Sequence, residues 1–398
     1  MKKTDILIIG GGASGLAAAI QAKRTNRQKS VTVIEHLPKV GKKILATGNG
    51  RCNLGNLTAA EHNYTNKRFA IPAIQKYGVQ SLVDFFESMG LFVRADSEGR
   101  LYPMSNTAAS VLDALRFECE LLGVNFICEE KAEQIKKSSD GFTVNSNISA
   151  KSVIIATGGK AAPTQGSDGS GYPLLKSLGH KITPLAPSLV QIKTDTTKIK
   201  SLKGVRAKAT LALSTGGTSE GEILFADYGI SGIAAMDLSR FVKPDAKAEI
   251  SIDLLPEFTA DKTKEIIIQI ARHSPNMPAE QMLGGIIHKA VGTAVIKSAL
   301  GYLPKTASEI KPKQAAIIAA ELKDFRLKVT GTKSYNDAQV TKGGADVSEF
   351  DSKTMMSNKV PNLFACGEVL DIDGACGGFN LAWAFASGRL AGEAAAKR

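Results

Sequence analysis

Aromatic residues are sparse in this chain, with one tryptophan and 6% Phe, Trp and Tyr among 398 residues. That scarcity argues against a surface built to stack nucleobases. Cysteines stand at 52, 119, 128, 366 and 376, with no C-x-x-C pair. An odd count without redox or metal spacing fits reduced thiols, and so a cytoplasmic protein. The five histidines (36, 62, 180, 273 and 288) lack metal-ligand spacing, so no metal is expected. No run of the ~20 apolar residues needed to span a bilayer occurs. The opening MKKTDILIIGGGASGLAAAI sets lysines before an apolar run, but Asp5 and the glycines break the pattern of a signal peptide. Nor is there any run of five like charges, although the formal net charge is +12. Basic charge spread in this way reads as a solvated surface rather than a nucleic-acid groove, and leaves a moderate attraction for acidic substrates.

What is present is an ordinary globular composition, 43% hydrophobic and 22% charged, in a chain long enough for two or three packed units. Glycine is abundant, with 38 residues, as suits a backbone that approaches a ligand closely. The segment 5–9 (DILII) predicts a buried strand, Ala13 to Thr25 a helix and 30–35 (SVTVIE) a second strand, together a βαβ unit. Helical patterns follow at Ile74–Met89 and Ala108–Leu122, and strands at Val124–Cys128, Phe142–Val144 and Ser152–Ala156. From about Leu189, segments alternate like half-exposed strands; from Thr259 to Leu322 the pattern is helical. Near 360 a buried strand returns, followed by glycines and a final helix, Leu381–Lys397.

The chemistry-bearing motif is Gly10-x-Gly12-x-x-Gly15, after a strand and at the start of a helix. Gly10 permits the tight turn, Gly12 lets backbone approach a pyrophosphate, and Gly15 allows close helix–strand packing. The free N–H groups and the dipole of that helix favour the anion. Glu35 ends the second strand, placed to accept hydrogen bonds from a ribose diol. A glutamate rather than an arginine there disfavours a 2′-phosphate and leaves NAD or FAD. Three further features bear on the choice: the loop Gly41–Asn56, the turn Ala156-Thr157-Gly158-Gly159, and Cys366-Gly367-Glu368 with Gly374–Leu381 leading into the last helix.

These features resemble the flavoproteins of the glutathione reductase-like superfamily, with an early fingerprint, a middle A-T-G and a late G-D or G-E. More closely, the chain resembles the bacterial family that includes aminoacetone oxidase and the bile-acid-pathway 4,6-reductase. The segments that carry the resemblance are GKKILATGNGRCN, SVIIATGGKAAPTQGSDGSGYPLLKSLGH, GEILFADYGISGIAAMDLS and VPNLFACGEVLDIDGACGGFNLAWAFASGRLAG. It covers nearly the whole chain. The resemblance implies FAD, with Ala13 and Ser14 at the pyrophosphate and Glu35 at the adenosine ribose. It places Lys42, Lys43, Arg51 and Asn53 along the cofactor. Ala132, on a strand reaching the adenine, and Ala156, Thr157 and Gly158 belong near the AMP half. Gly367, Glu368 and Asp373 serve the ribityl or phosphate region. Gly378, Phe379, Asn380 and Leu381 set a helix N-terminus near the flavin pyrimidine edge, where it stabilises the charge of the reduced ring.

The resulting expectation is an α/β protein: a Rossmann-type FAD-binding domain over 1–190 and 336–398, a β-rich insertion at 191–255 and a helical cap at 256–335. Asp227 and Tyr228, in the stretch Phe225–Gly232, are the best candidates for handling a proton. Many relatives carry Thr-His where Ala226-Asp227 stands here, which points to a different substrate. Arg100 and Tyr102 are weaker candidates. Cys52, and Cys366 with Cys376, read as packed small residues rather than redox centres. No second strand–G-x-G-x-x-G–helix unit exists, so NAD(P)H, if it is the reductant, visits transiently. Two activities remain open: NAD(P)H-driven reduction of an activated C=C bond in a small molecule, and oxidation of small amines such as aminoacetone. A third, a flavin-bearing RNA-binding protein, has the scattered charge and sparse aromatics against it. The oligomeric state is not legible.

Overall fold

The computed structural model describes residues 1–243 and 247–398. Contacts divide the chain into two compact units, one formed by 1–187 and 339–398 and the other by 188–338.

The first unit is built on a mostly parallel sheet. Strand β1 (Lys2–Ile9) leads through a glycine turn into helix α1 (Ala13–Thr25) and back along β2 (Val31–Glu35). One row of the sheet runs Phe126, Val33, Ile8, Ile154, Phe364, each paired in parallel with the next. Its central members are almost wholly buried because both faces are covered, which explains the unbroken apolar runs of β1 and of the strand Ile148–Ile155. A hairpin, Ile135–Ser138 with Gly141–Val144, extends the sheet antiparallel. The last helix, Phe379–Ala396, crosses α1 so closely that a Cβ on Gly388 would lie 2.2 Å from Ser14 O, and one on Gly392 2.1 Å from Ala18 O.

Three details differ from the sequence expectation. Phe325–Thr332, expected within a helical cap at 256–335, is a strand whose alternating burial suits one side of a sheet. The helical pattern Ile74–Met89 is two helices, Lys67–Lys76 and Val79–Glu87, because Gly78 takes an extended conformation and starts the second. Ala132 is not on a strand: it sits buried in the irregular segment between the strands Asn125–Cys128 and Ile135–Ser138.

The second unit is a closed six-stranded antiparallel barrel, in spatial order Ile192–Thr194, Gly229–Ser231, Thr218–Ala226, Arg206–Leu213, Glu249–Asp253 and Phe325–Thr332, with the last strand pairing back to the first. Closure leaves no free sheet edge in it. Helices Ala260–His273, Lys289–Leu300 and Pro312–Lys323 share one apolar core with the barrel, in which Ile267, Val295 and Ile318 join Leu211, Phe225 and Phe325.

Candidate functional site

The three fingerprint glycines, Gly10 and Gly12 in the turn between β1 and α1 and Gly15 in the first turn of α1, differ in what surrounds them. Gly10 has φ +106°, and a Cβ there would lie 2.5 Å from Ala156 O. One on Gly15 would lie 1.9 Å from Gly10 O, while one on Gly12 would meet nothing within 4 Å. Two of the three are therefore required by packing, and the third faces open space. Helix α1 starts at Gly12 with no side-chain cap and no acidic residue in its first turn. Its first backbone bond is Leu16 N–H to Gly12 O, so the N–H groups of Ala13, Ser14 and Gly15 are not used within the helix.

Glu35 is buried beside this turn. Its Oε2 accepts from Gly11 N–H at 2.9 Å and its Oε1 from Leu37 N–H at 2.9 Å, with His36 Nδ1 at 3.0 Å. A carboxylate has roughly four acceptor positions, so capacity for a ribose hydroxyl remains.

Four other segments converge on the same end of the sheet. Ala156 and Thr157 follow the strand Ile148–Ile155 and abut Gly10, and Gly158 takes φ +70° against Ser167. Gly367 (φ +75°) lies against Ser14, where a Cβ would be 2.5 Å from Ser14 Oγ. Gly378 (φ +103°) starts the last helix, again without a side-chain cap or a first-turn acid, and its missing Cβ would be 2.5 Å from Asn53 Oδ1. Phe379 packs edge-on to Tyr64, Asn380 brackets the turn before it by bonds with Gly374 and Ala375, and Leu381 is half-buried in the first turn.

Lys43 and Glu368 meet. Lys43 Nζ donates to Glu368 Oε2 at 2.9 Å, to Ala161 O at 3.2 Å and to Ser167 Oγ at 3.3 Å, while Glu368 Oε1 accepts from Thr341 N–H at 2.8 Å. Asp373 is buried, and its Oδ1 accepts from the Thr65 hydroxyl at 3.0 Å. Lys42 is exposed, and exposed Arg51 lies over the Tyr102 ring, 4.6 Å from its centre. Arg100 is engaged by Asp96 and Glu98. Thr341 carried no motif in the sequence; only the glycine pair after Lys342 hinted at a constrained turn.

The buried oxygens without a hydrogen-bond partner include Asn53 Oδ1 and Thr157 Oγ1 in these segments. A buried polar atom left unpaired costs about 1–3 kcal/mol. Thr157 abuts Gly10 and Asn53 abuts Gly378, beside the helix starts whose first N–H groups are unused, so a ligand rich in hydroxyl and phosphate groups fits. The thiols do not suit redox work: burial pushes Cys52 up to about 11 and Cys366 up to about 12, so both stay protonated. Among the described residues no group of three or more His, Cys, Asp or Glu is placed to hold a metal, and no helix is long and apolar enough to cross a membrane.

Asp227 and Tyr228 lie in the other unit, in the turn joining barrel strands Thr218–Ala226 and Gly229–Ser231. Asp227 is exposed and pairs with Lys203 at 2.8 Å, whose ammonium holds the carboxyl below its ordinary range. Lys333 sits 4.2 Å from the centre of the Tyr228 ring.

The profile of the HI0933-like protein Rossmann domain matches residues 4–394. The chain belongs to this family. It is an FAD-dependent oxidoreductase. A curated relative, the 3-dehydro-bile acid delta(4,6)-reductase of Clostridium scindens, is 36% identical over 406 residues, covering 98% of each chain. Another, the ribosomal RNA dihydrouridine synthase of Escherichia coli, is 30% identical over 97% of this chain and 96% of its own. Among solved structures, a 3-ketosteroid delta1-dehydrogenase from Sterolibacterium denitrificans superposes over the full length of both chains with TM-score 0.53 at 12% identity. The open conformation of a flavocytochrome c3 fumarate reductase covers all of this chain and 78% of its own, with TM-score 0.50 at 17% identity. At such identities these structures speak for the fold alone.

Proposed function

We propose that this HI0933-like oxidoreductase reduces a carbon–carbon double bond conjugated with a carbonyl in a small molecule, with NAD(P)H as a transient reductant. The observation that carries the reading is the 36% identity to the bile acid reductase over nearly all of both chains. When bound, FAD supplies hydride chemistry at N5 of its ring. The residues that would hold it are the open N–H groups at Gly12–Gly15, Glu35, Asn53, Thr157 and the start of the last helix. That helix end favours negative charge held against it. For an enone, hydride arriving at the β-carbon moves charge to the carbonyl oxygen, so the site needs a donor at that oxygen and a proton for the α-carbon. The test is NAD(P)H oxidation by the holoenzyme with and without a steroidal or simple enone, under anaerobic conditions. Steady oxidation that depends on the enone supports the reading. Bleaching of the bound flavin by aminoacetone alone, without turnover of any enone, replaces it with amine oxidation.

A second reading keeps the chemistry and changes the substrate to uracil in RNA, whose C5=C6 bond is also conjugated with a carbonyl. It is favoured by the relatives named as ribosomal RNA dihydrouridine synthases in E. coli and Haemophilus influenzae, each 30% identical over 96% of its own chain. NAD(P)H oxidation that needs unmodified ribosomal RNA, ignores enones and falls steeply with salt decides for it.

A further inference from the structure

We infer that Thr341 is a positioning residue for the cofactor site, holding together two of the segments that would grip FAD. Its side chain and its backbone act in different directions. The hydroxyl oxygen accepts from Lys160 N–H at 2.7 Å and from Ala161 N–H at 2.9 Å. The backbone N–H donates to Glu368 Oε1 at 2.8 Å, and the other oxygen of that carboxylate takes Lys43. One buried residue thus ties the turn after the Ile148–Ile155 strand to the Glu368–Lys43 pair. Gly159 lies inside this knot: a Cβ there would sit 2.3 Å from Thr341 Oγ1 and 2.7 Å from Glu368 Oε1. Thr157, whose Oγ1 has no partner, and Gly158 immediately precede the pinned peptides. Without the hydroxyl, the N–H groups of Lys160 and Ala161 lose their acceptor, and Thr157–Gly158 lose their fixed position. Thr341 lies two residues past Gln339, where the chain re-enters this unit, so the site depends on a segment remote in sequence from the Gly10–Gly15 and Gly158–Gly159 turns.

The inference rests on FAD being the ligand, and the experiment separates the two. The FAD dissociation constant of deflavinated protein is measured by fluorescence for wild type, T341V and T341S, with the flavin absorbance spectrum and midpoint potential of each reconstituted protein. T341V removes the acceptor at nearly constant volume and is expected to bind FAD at least tenfold more weakly, with a shifted potential. T341S keeps the hydroxyl and is expected within threefold of wild type. T341V binding within threefold of wild type, or T341S as weak as T341V, overturns the inference. Should T341V prove insoluble, T341C, with its poorer acceptor, takes its place under the same two outcomes. Wild-type protein that fails to take up FAD removes the cofactor assignment itself.

Discussion

The fingerprint turn at Gly10–Gly15 and the barrel turn at Asp227–Gly232 are both glycine-rich, both follow a strand and both precede a helix, yet their glycines serve opposite ends. In the barrel turn every glycine is hemmed in. Gly229, at φ +144°, would place a Cβ 2.3 Å from Ile192 O, and Gly232, at φ +94°, would place one 2.4 Å from Glu222 O. Those residues let strands and helix approach, and nothing is left open. In the fingerprint turn Gly10 and Gly15 do the same work, but Gly12 faces empty space beside unused N–H groups and a buried glutamate. Openness alone does not mark a site, since turn glycines such as Gly90, Gly123 and Gly301 also meet nothing within 4 Å; Gly12 is set apart by openness beside unused helix N–H groups and a buried carboxylate.

The largest expected effect lies in the closed turn. Gly229→Ala combines a disfavoured backbone angle with a clash against Ile192 O and Thr194 N, and is expected to destabilise the protein by roughly 3 kcal/mol. Chemical denaturation followed by circular dichroism measures it; an unchanged midpoint would mean the turn has room that its geometry denies. The open turn should respond the other way. Gly12→Val combined with Glu35→Ala is expected to fold, since position 12 is extended and unobstructed. It should lose FAD affinity by at least about 100-fold, about 2.7 kcal/mol. A purified double variant that stays yellow at full occupancy would break both the comparison and the assignment of the site.

How much of this was legible beforehand divides along the same line. The βαβ unit, Glu35 and the start of the last helix are local patterns, in which apolar runs and glycine spacing fix geometry within a few residues. Closure of the barrel is not local: Ile192 pairs with both Ile230 and Thr332, and no short segment encodes that register. Gly78 shows a limit of periodicity, since the apolar pattern runs through a glycine at which the helix restarts. Thr341 was invisible for a related reason. Its importance lies in three partners, at 160, 161 and 368, that only the folded chain brings to it.

A third polar cluster sharpens the contrast, because it is buried and fully satisfied. His180 Nδ1 lies 3.0 Å from Glu349 Oε2, and Nε2 lies 3.0 Å from Ser357 Oγ, whose oxygen also accepts from the N–H groups of Lys359 and Val360. With Nδ1–H donating to Glu349 and the Ser357 hydroxyl donating to Nε2, the neutral ring uses both nitrogens. Lys359, on Glu349 Oε1, adds a nearby positive charge, and the Phe350 ring stacks on the imidazole. Burial chiefly holds the His180 pKa below its ordinary 6.5, against the pull of Glu349. The unfolded chain therefore binds the proton first. The cluster's stability is complete above pH 6.5 and is lost as pH falls from there through the lower folded value. Wild type is expected to melt at progressively lower temperature as pH falls through that window. His180→Gln should flatten the slope between pH 7 and the onset of carboxylate titration. An equal slope in both proteins would assign the acid sensitivity elsewhere.

The smallest expected effect is at Asp227, and it tests whether a closed turn can still act through its side chains. The carboxylate is exposed, and its partner Lys203 is equally so. A surface pair of this kind contributes little to stability, and the ammonium keeps the group ionised at neutral pH, unfit to deliver a proton there. Asp227→Asn is therefore expected to change kcat/KM by less than threefold and to leave the melting temperature where it was. Tyr228→Phe is the sharper companion, because the phenol is half-buried and a cation sits over its ring. Were Asp227→Asn to cut kcat tenfold with FAD affinity intact, a turn closed at every glycine would still be a substrate site. The open Gly12, beside unused N–H groups and buried Glu35, would then identify where the cofactor is held, but not where the proton is supplied.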